Sequence, residues 1–452
     1  MVSRLLIANR GEIARRVIRS CRKLGVETVA VYSEADAGLA HVAEADHAVA
    51  IGPAAARESY LRPEKLLEAA REAGADAVHP GYGFLSENAD FAETVRAAGL
   101  AWVGPEPETI GAMGDKQRAR EIAVAAGAPV APASARFEAG ETDGVVAAAE
   151  AVGFPLLVKA SAGGGGIGMR RVDAADKVLA TVEATQSMAS KAFGDGAVFL
   201  ERFIPRARHV EIQVFGFGDG RAIHLFERDC SLQRRFQKVI EESPAPGLPA
   251  GVRQRMAEAA VRLCEKARYA SAGTVEFILD AETHEFFFLE MNTRIQVEHP
   301  VTEMVTGADL VAMQIQLARG DLRDAPQLSE VDGTAIECRL YAENPQKMFL
   351  PSPGTLERFG TPEESADLRI DTGYQEGDAV TPHYDPMIAK IIARGADRDE
   401  ARARAAEALR AIEIEGLRSN RDFLIACLEH PAFAAGEVST GFIEQHVKAL
   451  TA

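Results

Sequence analysis

Several features that would take this chain away from the ordinary enzymes are missing. Cysteine is scarce and scattered: Cys21, Cys230, Cys264, Cys338 and Cys427 form no Cys-x-x-Cys pair. That pattern argues against a zinc site and a disulfide frame, and is expected of reduced thiols in a cytosol. No apolar run reaches the roughly 18 residues that span a bilayer, so no membrane association is expected. Met1-Val2-Ser3-Arg4 leads directly into an apolar strand, and no signal peptide is expected. Basic charge is in deficit, with 50 Lys and Arg against 67 Asp and Glu and a net charge of −17. A broad basic face for nucleic acid is therefore not expected. There is no internal repeat and no low-complexity tract. What remains, 47% hydrophobic and 26% charged residues over 452 positions, is the composition of a soluble enzyme of two or three domains.

The first part alternates strand and helix. Arg4 to Ala8 reads as a strand and Glu12 to Leu24 as an amphipathic helix stopped by Gly25, followed by a strand from Glu27 to Tyr32. Helices from Pro63 to Ala73 and Asn88 to Ala98 alternate with strands at Ala75–His79 and Leu100–Val103. This order implies a parallel sheet with helices on both faces, a Rossmann-like α/β domain over residues 1–113. Asn9-Arg10-Gly11 is a βα turn with too few glycines for a dinucleotide fingerprint. From residue 114 the texture becomes α+β. A helix opens at Asp115-Lys116, a second runs from Gly144 to Ala151, and a third from about Ala174 to Ser190. A central domain over 114–332, with a mobile subdomain at about 129–203, and a mixed β-rich C-terminal domain over 333–452 follow from that texture.

Three constellations carry chemistry. Lys159 precedes Gly163 to Gly166 and Gly168, between two apolar strands. This is no Walker A, since no Lys-Ser/Thr follows, but a glycine hairpin of this kind can fold over phosphates and offer backbone N–H groups. Lys159 and Lys116 are natural counter-charges. Next, Gly273 to Asp280 and Phe286 to Met291 read as paired strands. Pairing Asp280 with Phe286 places Glu276 opposite Glu290, and like charges so placed call for a cation between them. A divalent metal with Asn292 as a neutral third ligand fits. Neutralisation by lysine is disfavoured, because no Lys lies between Lys266 and Lys347. If the chain stays extended, Glu290, Asn292, Arg294, Gln296 and Glu298 share one face. The third constellation, Arg228 to Lys238, is dense in cations and amides. Alone it would pass for a solvated loop.

Together, and in this order, these segments resemble the biotin carboxylase component of biotin-dependent acyl-CoA carboxylases, an ATP-grasp enzyme. Ile7 to Ala14, His79 to Asn88, Lys159 to Arg170, Arg208 to Gln213, Arg228 to Gly247, Phe288 to Glu303 and Glu337-Cys338-Arg339 carry the likeness. The resemblance implies a pre-ATP-grasp N-domain, an ATP-grasp centre and a biotin carboxylase C-terminal domain. It also implies ATP near Lys116, Lys159, Gly165, Gly166, Glu201, Arg202, Phe203, Ile204, His209, Gln233 and Phe236, and Mg²⁺ or Mn²⁺ on Glu276, Glu290 and Asn292. Lys238, Arg294, Val297 and Glu298 would surround bicarbonate, with Arg339 near bicarbonate and biotin. Glu298 would be the base that leads to carboxyphosphate, and Arg294 would stabilise the biotin enolate. Ile167 and Phe236 depart from the pattern, standing where other members often have Arg and His. The family's Met-Lys-Met biotinylation segment is absent, which implies a separate biotin carboxyl carrier protein or a longer polypeptide. A carboxyltransferase subunit, a homodimer and a cytoplasmic location are further implied. The set Arg294, Glu298 and Gly81 to Asn88 speaks against other ATP-grasp ligases, and the intact acidic and cationic set against a non-catalytic nucleotide-binding subunit.

Overall fold

The computed structural model describes residues 2–161, 168–326 and 331–451. In the N-terminal part, β1 (Arg4–Ile7), β2 (Glu27–Ser33), β3 (His47–Gly52), β4 (Ala77–His79) and β5 (Ala101–Trp102) form one parallel sheet in the order β3-β2-β1-β4-β5. β1 shows why: Leu6 enters a core with Val29, Val31, Leu66 and Phe91, while Leu5 and Ile7 enter another with Val17 and Ile18. A strand buried on both faces reads as a continuous apolar run. The helix Gly11–Leu24 ends where Gly25 takes φ 65°, the left-handed stop expected of it. β3 was not legible: His47-Ala48-Val49-Ala50 is an edge strand, largely exposed and without clear alternation.

The small subdomain is a three-stranded antiparallel sheet of β6 (Leu156–Ala160), β7 (Met169–Val172) and β8 (Val198–Arg202), in the order β7-β6-β8. Helices Val145–Val152 and Val178–Phe193 cover it, around a core of Leu156, Val158, Val172, Val182 and Leu200. The longer helix starts later than expected, because a 3₁₀ turn occupies Ala175–Lys177.

The rest is organised on one eight-stranded antiparallel sheet. β9 (Ala207–Phe217), β10 (Ala222–Arg234), β11 (Gln237–Ser243), β12 (Ala270–Asp280), β13 (Phe286–Asn292) and β14 (Thr334–Tyr341) are joined by strands Met387–Gly395 and Leu368–Thr372. The order is β13-β12-β9-β10-β11-β14, then Met387–Gly395 and Leu368–Thr372. The sheet thus runs across the expected boundary at residue 333, since β14 pairs with β11 through Ile240↔Cys338 and Glu241↔Glu337. The loose composition before residue 333 marks a connection that returns to the same sheet. Arg228 to Lys238 is no solvated loop but the β10–β11 hairpin. Its two-residue turn, Arg235 and Phe236, takes φ 50° and 68°, the left-handed pair that suits strand twist.

Candidate active site

Glu276 and Glu290 do lie opposite each other, though by a different register from the one expected. Leu279, not Asp280, pairs with Phe286, and an irregularity after Phe277↔Phe288 skips Leu289, restoring Glu276↔Glu290. Glu276 is buried and Glu290 reaches solvent. The extended face does not continue to Glu298, because β13 ends at Asn292 and residues 293–298 turn away from the sheet. Glu298, Arg294 and Gln296 reach the same cleft from this turn rather than from a strand.

The expectation that no lysine neutralises the acidic pair also fails in part. Lys238, from β11, donates to Glu211 Oε2 at 2.6 Å, Glu276 Oε1 at 2.9 Å and Glu298 Oε1 at 2.6 Å. Its three N–H donors are all engaged. A sequence scan between Lys266 and Lys347 could not find it, because tertiary pairing supplies it from another hairpin. Glu290 keeps no hydrogen bond or ion pair among the described residues, and confinement in the cleft together with the Glu276 charge raises its pKa. An exposed carboxylate without a partner, beside a second carboxylate and the Asn292 amide, is a donor set that fits a hard divalent cation. Asn292 Nδ2 donates to Glu276 Oε1 at 2.8 Å, and its Oδ1 accepts from Arg294 at 3.2 Å.

Beneath this cluster lies Arg228, fully buried. Its five N–H groups reach five acceptors: Glu211 and Gln213 at 2.6 Å, Gln296 at 2.8 Å, and Thr274 and Thr302 at 3.0 Å. Gln296 also donates to Glu276 Oε1 at 2.8 Å, so it ties the turn to β12. Arg228 and Glu211 were not picked out as site residues. Their motif segments were visible, but not which partners would meet them.

At the other end, Arg339 lies 2.9 Å from Glu298 Oε2 and 2.5 Å from Glu241 Oε1. Burial opposes ionisation of Glu298, but Lys238, Arg339 and Arg228 outweigh it and hold its pKa well below the ordinary range. Glu276 is likewise held low, burial being outweighed by Lys238 and His209. His209 Nε2 is 2.9 Å from Glu276 Oε2. Burial disfavours its protonation, yet Glu276 raises its pKa overall. Gln233 Nε2 lies 2.8 Å from His209 Nδ1. Arg294 is held by Glu87, at 2.8 Å, from the loop after β4. Buried Lys390 donates to the Val297 carbonyl at 2.9 Å and lies 3.2 Å from Glu12. Glu87 and Lys390 fix the turn from two other parts of the chain.

The remaining expected nucleotide residues lie on the small subdomain and the cleft rim. Lys159 Nζ meets Glu201 Oε1 at 2.6 Å, in neighbouring strands β6 and β8. Arg202 is exposed, Phe203 half-buried and Ile204 buried. Lys116 is exposed at the start of helix Lys116–Ala125. Phe236, 69% exposed, sits at the β10–β11 turn. Gly165, Gly166 and Ile167 lie outside the described residues.

Three family models match consecutive parts of the chain: the biotin carboxylase N-terminal domain over 1–110, the carbamoyl-phosphate synthase L chain ATP-binding domain over 115–324, and the biotin carboxylase C-terminal domain over 337–445. Biotin carboxylase 1 of Bacillus subtilis is 48% identical over 447 residues, covering 99% of both chains. The chain belongs to the biotin carboxylase family. Membership makes it an ATP-dependent carboxylating ligase. Mouse methylcrotonoyl-CoA carboxylase subunit alpha is also 48% identical, and the chain spans 62% of its length. Among solved structures, the Campylobacter jejuni biotin carboxylase in complex with β-γ-ATP matches with TM-score 0.91 at 39% identity, over 99% of each chain. The biotin carboxylase domain dimer of Hydrogenobacter thermophilus 2-oxoglutarate carboxylase, in complex with MgADP and bicarbonate, matches with TM-score 0.90 at 41% identity. That match covers 100% of this chain and 99% of the other. Biotin carboxylases use ATP, Mg²⁺, bicarbonate and biotin. No helix among the described residues is long and apolar enough to cross a membrane.

Proposed function

We propose that this chain carboxylates biotin on a biotin carboxyl carrier protein, as the first half-reaction of an acetyl- or propionyl-type acyl-CoA carboxylase. The observation that carries the reading is the convergence of Lys238 and Arg339 on Glu298, beside the Glu276–Glu290 pair. Glu276, Glu290 and Asn292 would hold a divalent metal, which would supply charge neutralisation to the phosphates. Lys116, Lys159, Glu201, Arg202, Phe203, Ile204, His209, Gln233 and Phe236 are assigned to the nucleotide, as are, by the resemblance alone, Gly165 and Gly166.

Bicarbonate takes up donors of Lys238 and Arg339. Glu298 then loses counter-charge and becomes the stronger base that this arrangement denies it in the absence of substrate. It accepts the bicarbonate proton as the oxygen attacks the γ-phosphate, giving carboxyphosphate and ADP. Carboxyphosphate releases CO₂, phosphate takes the ureido proton, and Arg294 stabilises the biotin enolate that captures CO₂. The division into 1–113, 114–332 and 333–452, with closure of the lobe at about 129–203 over ATP, belongs to the same reading. So do a homodimer, a partner carboxyltransferase and a cytoplasmic location. Methylcrotonoyl-CoA carboxylase relatives keep the acceptor open to a panel of acyl-CoA esters tested with the transferase.

Bicarbonate-dependent ATP cleavage, measured with and without free biotin, tests the reaction. Stimulation by biotin is expected, and ATP binding without stimulation would sink the reading. Arg294→Ala is expected to lower biotin carboxylation about a hundredfold with little change in ATP affinity. Equal loss of both would reassign Arg294 to the nucleotide.

A further inference from the structure

Next to Arg339 lies a pair of acids that the reaction described above does not use. Glu241 of β11 and Glu337 of β14 are direct antiparallel partners, and both are fully buried. Arg339 forms an ion pair with Glu241 Oε1 at 2.5 Å, but neither oxygen of Glu241 nor of Glu337 has a hydrogen-bond partner among the described residues. The cations facing the pair are already divided. Arg339 also serves Glu298. Lys238 on β11 holds Glu211, Glu276 and Glu298. Lys390, from the strand beyond β14, holds the Val297 carbonyl, Glu12 and, at 3.7 Å, Asp371. Arg228, facing Glu298 from β10, is saturated. The helix His299–Thr306 brings His299, which burial, Lys390, Arg16 and Arg369 keep neutral. Two buried carboxylates so placed, with one shared guanidinium between them and Glu298, cannot both stay ionised.

We propose that Glu241 and Glu337 share a single proton and act as positioning residues that set the charge Arg339 presents to Glu298. Above neutrality the shared proton resides on Glu337 and Glu241 is ionised; as pH falls through neutrality Glu241 takes a second proton, so Glu241 is the member that changes state. When Glu241 is ionised it competes for Arg339 and repels the Glu298 carboxylate, which makes Glu298 a stronger base. When Glu241 is protonated, Arg339 turns wholly to Glu298 and quenches it. The values agree with this division. Burial, opposed by Arg339 and assisted by Glu298, pushes Glu241 up to about 7. Burial, opposed by Lys390 and assisted by Glu241, raises Glu337 well above the ordinary range. A raised carboxyl remains protonated until pH passes its shifted value, so the active arrangement appears on the alkaline side.

The inference rests on Glu298 as the base towards bicarbonate. The test follows kcat/KM for bicarbonate, in ATP cleavage, from about pH 6 to about pH 9. The wild-type value is expected to rise through an inflexion near neutrality. Glu241→Gln should abolish that inflexion and stay about tenfold below the wild-type plateau, whereas Glu337→Gln should keep it. A Glu241→Gln profile parallel to the wild type overturns the proposal, since a merely structural role lowers all pH values alike. Should Glu241→Gln not fold, the infrared band of protonated carboxyl groups in Glu337→Gln decides. Its loss relative to wild type at about pH 8 is expected, and an unchanged band overturns the shared proton. If the wild type itself cleaves no ATP in response to bicarbonate, the functional reading fails, and the infrared comparison still tests the dyad.

Discussion

The eight-stranded sheet and the small three-stranded lobe both carry cations suited to phosphate and carboxylate chemistry, but they hold them differently. On the large sheet Arg228 and Lys238 are fully committed: Arg228 has five acceptors and Lys238 three carboxylates, drawn from β9, β12, the turn after β13 and the helix His299–Thr306. On the lobe, Lys159 has the Glu201 carboxylate as its one ion pair among the described residues, with both side chains about a fifth exposed. The first arrangement fixes the reacting groups before substrate arrives, which is how electrostatic stabilisation is made effective. The second leaves a cation available to a ligand. On the proposed reading, chemistry is built on the fully paired network and nucleotide capture on the lobe.

The contrast breaks most visibly, if it is wrong, at Arg228. Arg228→Met leaves the buried Glu211 carboxylate without its bidentate-capable partner and strips acceptors on Gln213, Thr274 and Gln296. Removing one member of a buried ion pair costs about 3–5 kcal/mol. A large fall in the apparent urea midpoint, with loss of activity, is the expected result. An unfolding midpoint equal to wild type would show that the sheet does not depend on this network.

How far this was readable beforehand differs between the same two regions. The Glu276–Glu290 pairing followed from spacing, because residues opposite in a hairpin are set by local chain geometry; even the miscounted register was restored at Leu289. The role of Arg228 was not readable. Its partners Glu211, Gln213, Thr274, Gln296 and Thr302 are 15 to 74 residues away, and a charge run carries no mark of what will neutralise it. Lys238 misled for the same reason. The turn after Asn292 escaped notice because polar residues continue with period two while the backbone leaves the sheet. The chemistry assigned to these side chains came from family resemblance, whereas β12 and β13 as strands could be argued from pattern.

A second change separates rigidity from reactivity. Glu298→Gln keeps the shape of the side chain and one acceptor oxygen, for either Lys238 or Arg339, but it is no base. ATP cleavage driven by bicarbonate is expected to fall at least about a hundredfold, the usual range for losing a general base. ATP affinity should hold, because Glu298 lies with Lys238 and Arg339 rather than with Lys159. A proportionate loss of ATP binding would mean that the two regions are not functionally divided.

The smallest stability effect should come from Lys159→Ala, and here the lobe is put to the test. The Lys159–Glu201 pair is partly exposed and makes one close contact, so its loss should cost no more than about 1 kcal/mol. The Phe199 ring, 5.6 Å from Lys159 Nζ, adds a weak attraction of similar order. Yet a lysine beside a phosphate is worth more than a lysine beside a carboxylate that water can replace. The KM for ATP is therefore expected to rise about tenfold with the unfolding midpoint nearly unchanged, which equals about 1.4 kcal/mol of binding. Read together with Arg228→Met, the two variants should move opposite observables: stability in the sheet, nucleotide affinity in the lobe. If Lys159→Ala instead lowered stability as much as Arg228→Met, the single Lys159–Glu201 contact would be structural, and the lobe would be as preorganised as the sheet.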